Sequence, residues 1–162
     1  MIRLLACLFF AALPLSAQAN TDLARQWGVE ASRLSEETAQ AIYALDMGET
    51  PEISEHFALE VYRFGRTSSD LAAWIDSSSG PQDLGCIFRG MALESETQLG
   101  ALETERDTLE QRASLVRLSA MFADAEIIAI AAQRRAPTVG RVATTLKQTC
   151  AADPKAVMFQ LN

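Results

Sequence analysis

The chain has 162 residues, with 14 basic side chains against 21 acidic ones and a single histidine. A net charge of -7 at pH 7 opposes the phosphates of nucleic acid and the anionic surface of a membrane, so partners of those two classes are not expected. What remains is an acidic, soluble, mostly apolar-patterned chain whose elements are best taken in order.

Arg3 is the only charge before Asp22, and the residues between them run from Leu4 to Leu13 without a polar side chain, then through Pro14 to the small Ser16, Ala17 and Ala19. This pattern predicts a secretory signal peptide over residues 1–19, with Pro14 ending its short apolar helix and cleavage after Ala19. Leu4, Leu5, Ala6 and Cys7 imitate a lipobox, but too few apolar residues precede Cys7 for lipidation. No later stretch supplies the roughly 20 apolar residues of a membrane span. Residues 20–162 are then one domain, long enough to bury a core unaided. No N-x-S/T acceptor follows the signal, and arginine far outnumbers lysine. Both favour a bacterial periplasm over another secretory route.

Cleavage removes Cys7 and leaves Cys86 and Cys150 to meet an oxidising compartment, where they are expected to form one disulfide. Closing so long a loop stabilises by about 4 kcal/mol in the chain-entropy account. Their wide separation suits a staple better than a redox pair.

From Asp22 onward Leu23, Trp27, Ala31, Leu34, Thr38, Ala41 and Leu45 recur at intervals of four and three, one face of a helix. Thr21 or Asp22 is its expected cap and Gly48 its stop. Thr50 and Pro51 predict the cap and first residue of a second helix, with Ile53, Phe57, Val61, Phe64, Leu71 and Ile75 inward and a break or kink near Gly65–Ser69. The Ser77–Pro81 tract reads as a loop. A third helix follows with Leu84, Phe88 and Met91 inward, joined by Ile87 and Ala92, and with Gly85 and Gly90 placed for close packing. A turn is expected between Gly100 and Asp107. The fourth helix, Leu109 to Ala132, shows a stripe of Leu109, Ala113, Val116, Ala120, Ala123, Ile127 and Ile130, while Leu115, Leu118, Phe122 and Ile128 widen its apolar surface. Such a helix is expected to be packed on two sides. Pro137 ends it, and Val142, Leu146 and Cys150 mark a short fifth helix. The expected fold is all-α, an up-and-down bundle of four main helices plus a short C-terminal helix, with one disulfide.

His56 has Glu52 and Glu60 one helical turn to either side, three potential metal ligands on one strip of helix. A solvated charged edge accounts for them more simply, since stable sites draw three or four ligands from converging directions. Haem held between His56 and a methionine lacks a C-x-x-C-H attachment. No cofactor is expected. Arg134, Arg135 and Arg141 gather around Pro137, where completing a helix C-terminus explains the first two. The tail bearing Phe159 and Leu161 is too apolar for an idle end; it docks on the bundle or meets a partner, docking being preferred. A Ser/His/Asp or Cys/His constellation would have to recruit His56, both cysteines are better used in the bridge, and no phosphate loop or nucleotide fingerprint occurs. The leading functional expectation is a noncatalytic periplasmic or secreted protein that binds another envelope protein. A haem or metal carrier using His56 is the alternative, and a structural envelope protein comes third.

Overall fold

The computed structural model describes residues 14–134 apart from 50, 79 and 105–106, with backbone only for residues 14–19. Four helices account for nearly all of it: α1 (Pro14–Asp46), α2 (Glu55–Ser77), α3 (Gln82–Thr104) and α4 (Thr108–Arg134). No strand occurs among the described residues. Each helix runs antiparallel to the next. Arg33 of α1 reaches Glu60 of α2, Gly65 of α2 faces Ser95 of α3, and Asp46 at the end of α1 pairs with Arg112 at the start of α4. The expected up-and-down bundle is therefore present, with α1 packed closely on α4 and α2 on α3. No described helix is long and apolar enough to cross a membrane.

The core is centred on four rings, one from each helix. Trp27 stacks on Phe64 at 4.8 Å and meets Phe88 edge-on at 5.2 Å, while Phe64 meets Phe122 edge-on at 5.0 Å. Trp27 Nε1 donates to Ser68 Oγ at 2.9 Å, and that hydroxyl donates in turn to the Phe64 carbonyl at 2.8 Å. Each buried ring is worth about 1.5–3 kcal/mol through removal from water, and the ring pairs add roughly 0.5–1.5 kcal/mol each. The expected inward faces of α1, α2 and α3 are buried at Trp27, Leu34, Phe57, Val61, Leu71, Ile75, Leu84 and Met91. Thr38 is buried too, its hydroxyl donating to the Leu34 carbonyl.

Several boundaries depart from expectation. α1 is already helical at Pro14, so Thr21 and Asp22 lie inside it and do not cap it. Gly48 does stop α1, at φ +79°, a conformation that favours glycine. Pro51 does not begin α2, because Ser54 is the cap, its Oγ accepting from Phe57 N at 3.0 Å. No break occurs near Gly65, where the missing Cβ lets α3 approach and α2 runs through unbroken. Gly85 is buried against Asp76 and Ile75 as expected of a close-packing glycine, but Gly90 faces open space and Ile87 is exposed. α3 continues past Gly100 to Thr104, and Asp107 caps α4 by accepting from Leu109 N at 2.8 Å. The short fifth helix and Cys150 fall outside the described residues.

The α1–α4 contact is made of small residues. Ala24, Gly28 and Ala31 face Ala125, Ala129 and Ala132, and a Cβ added at Gly28 stands 2.6 Å from the Cβ of Ala129. We expect Gly28→Ala to lower stability by about 1–3 kcal/mol through overpacking, although alanine is the better helix former by about 1 kcal/mol. Gly90→Ala, with nothing within 4 Å, gains that propensity and raises stability. Urea unfolding of both variants reads the two signs, and Ala129→Gly in the Gly28→Ala background recovers part of the loss.

Candidate interaction surface

α4 carries two apolar faces. Leu115, Leu118, Phe122, Ala125, Ala129 and Ala132 alternate at intervals of three and four, and all are buried. The stripe expected from the sequence to be the core face is the other one. Leu109 is 74% exposed, Val116 41%, Ile127 70% and Ile130 49%, and the alanines between them at 113, 120 and 123 also face outward. Neighbouring members of the two stripes, such as Ala113 and Leu115, are two residues apart and so about 200° apart around the axis. Both faces have helical period; packing chose between them. The inner one offers bulk at Leu115, Leu118 and Phe122 where the bundle is wide, and only alanine where Gly28 brings α1 close.

The outer stripe is bordered by charges. Arg117 and Asp124 flank it on the side nearer α3, where Arg117 Nη1 lies 3.8 Å from Glu94 of that helix. Arg112 and Glu126 flank it on the side nearer α1, where Arg112 holds Asp46 through two hydrogen bonds at 2.6 and 3.1 Å. Such an apolar seam with charged borders is what a helix presents to another helix.

Between α1 and α2 lies a network the sequence did not bring to notice. Arg33 bonds Glu30, donates to Glu37 at 2.9 Å and reaches Glu60 at 3.4 Å, and Glu60 also accepts from Arg63 at 2.6 Å. Glu30, Arg33 and Glu37 follow one another at helical spacing on α1, as do Glu60 and Arg63 on α2, but the Arg33–Glu60 contact that joins the two sets spans 27 residues and no linear spacing announces it. The hydrogen bond from the Arg33 guanidinium holds the Glu30 carboxyl below the ordinary glutamate value of 4.5 against partial desolvation. A shallow groove of about 420 Å³ runs between α2 and α3, walled by Tyr62, Arg66, Leu93 and Glu96 over a floor of Gly65 and Ser95.

The three weak metal candidates, His56, Glu52 and Glu60, are not brought together. His56 is exposed in the first turn of α2, Glu52 precedes the helix instead of lying one turn before His56, and Glu60 is committed to Arg33 and Arg63. Among the described residues no group of three or more histidine, cysteine or acidic side chains is placed to hold a metal ion. Arg134 is exposed in the last turn of α4. Cys86 is half-buried in the first turns of α3, its Sγ 3.5 Å from Arg89 Nη2. Arg135, Arg141, Cys150, Phe159 and Leu161 lie outside the described residues. No family model, no curated protein and no solved structure matches the chain.

The Glu30 shift has a sign that can be checked. A carboxyl held below its unfolded value contributes stability that is present above about pH 4.5 and lost as pH falls through the folded value. Arg33→Gln should therefore lower stability at pH 7 and flatten its further fall below pH 4.5. Urea unfolding across that range tests it; an unchanged acid slope counts against the network.

Proposed function

We propose that this is an exported, noncatalytic helical protein, cut after Ala19 and resident in a bacterial periplasm, that works by binding a protein of the envelope compartment. The outer face of α4 carries this reading. Among the described residues the bundle leaves four large aliphatic side chains of one stripe exposed, and contiguous apolar surface of this kind marks protein-binding sites. The first nineteen residues support export. No arrangement at His56 favours the carrier alternative.

The reading includes a short fifth helix and a Cys86–Cys150 bridge. Cys86 stands at the end of the bundle where α4 finishes, and fifteen residues separate Arg134 from Cys150, ample to return to it. A fifth helix running straight down α4 carries Cys150 away from Cys86 at 1.5 Å per residue, so the bridge calls for a helix that crosses the end of the bundle obliquely.

The test is expression of the full chain in a Gram-negative bacterium with a photo-crosslinking residue at position 127, and Asp70 as the exposed control site. The expected outcome is a periplasmic protein that begins at Asn20, weighs two hydrogens less than the reduced chain, and forms protein adducts from position 127 well above those from position 70. Retention of residues 1–19 sinks the export assignment, and equal adduct yields at the two positions sink the binding one.

A further inference from the structure

We propose that the outer face of α4 pairs with the same face of a second copy of this chain, the two helices running antiparallel. This rests on the reading of that face as protein-binding and names its occupant. The stripe from Leu109 to Ile130 has the alternating three-and-four spacing of a coiled-coil seam and extends for about 32 Å at 1.5 Å per residue. Set antiparallel about a two-fold axis near residues 121–122, the seam forms matched layers. Val116 meets Ile127 of the second copy, the small Ala113 meets the large Ile130, and Ala120 meets Ala123 at the centre, where alanine allows the axes to approach closely. The two-fold repeats each layer, as expected of a self-complementary patch.

The bordering charges decide the orientation. In the antiparallel register Arg117 of each copy faces Asp124 of the other, giving two opposite-charge pairs. On the other border Arg112 faces Gln133 and Ser119 faces Glu126, so no like charges meet. A parallel pairing instead sets Arg112 against Arg117 of the second copy, twice. Charges flanking a helix seam select partner and direction in this way. The chain's own end is the competing occupant, but the bridge proposed above ties Cys150 to the first turns of α3, and a fifth helix so tied does not lie along the outer face of α4.

Sedimentation equilibrium of the exported full chain tests this, with the variants Ile127→Asp, Arg117→Asp, Asp124→Arg and the double reversal Arg117→Asp/Asp124→Arg. We expect a dimer for the natural chain and a monomer of unchanged helix content for Ile127→Asp. Each single reversal turns two attractive contacts into two repulsive ones and should raise Kd about tenfold, from the usual worth of exposed pairs. The double reversal restores the opposite-charge contacts and returns Kd to within about threefold of the natural value, which a parallel pairing does not predict. A chain monomeric at all concentrations, or a dimer whose single reversals are not rescued by the double, overturns the proposal. If the chain is monomeric while adducts from position 127 contain a different protein, the second copy is wrong and the protein-binding reading stands. If it is monomeric and forms no such adducts, both fall. Dimerisation only after removal of residues 151–162 shows that the chain's own end covers the face, and also overturns the proposal.

Discussion

The hydrogen bond from Trp27 to Ser68 sets the terms on which the helices meet. An indole nitrogen taken out of water must keep a partner, and here the partner is a hydroxyl on another helix, itself anchored to the Phe64 carbonyl one turn back. The pair therefore fixes how α1 sits along α2. With Trp27 in place, its ring becomes the common neighbour of Phe64 and Phe88, and Phe64 carries the contact on to Phe122. A directional bond thus selects one register among the many that greasy stripes alone would tolerate.

Around that centre the bundle is built as two tight pairs. α1 lies on α4 through glycine and alanine, and α2 lies on α3 through Gly65, Ser95 and Gly85. Between the pairs the large side chains fill a wider space. This division of labour explains α4. Its one inner face is alanine where it lies on α1 and leucine and phenylalanine where the bundle is wide, and the aliphatic stripe left over has no place inside.

Much of this was legible in the chain. The period of α1 and α2, the stop at Gly48 and the turn before Asp107 follow from patterns local to a few residues. Ser68 falls within the expected break near Gly65–Ser69 because its partner is 41 residues away and invisible to local pattern. Ser54 displaced Thr50 and Pro51 as the start of α2, a choice between nearby caps each worth about 1 kcal/mol. For α4, spacing identified two apolar faces but could not rank them, since the ranking depends on Gly28 in a distant helix. The same limit hid the Arg33–Glu60 link between α1 and α2, and it applies to every feature made by residues that meet only after folding.

The close fit of Gly28 to Ala129 also has a temporal side. Of the four described helices, the first to be made has its tightest partner in the last, 101 positions further along the chain. α2 and α3, by contrast, are joined by a short turn and can close as soon as both exist. Until α4 has been made, the alanine face of α1 has nothing to rest against, and a chain emerging from its N-terminus carries that face uncovered through most of its synthesis. Anything that shields nascent chains would find its longest opportunity there.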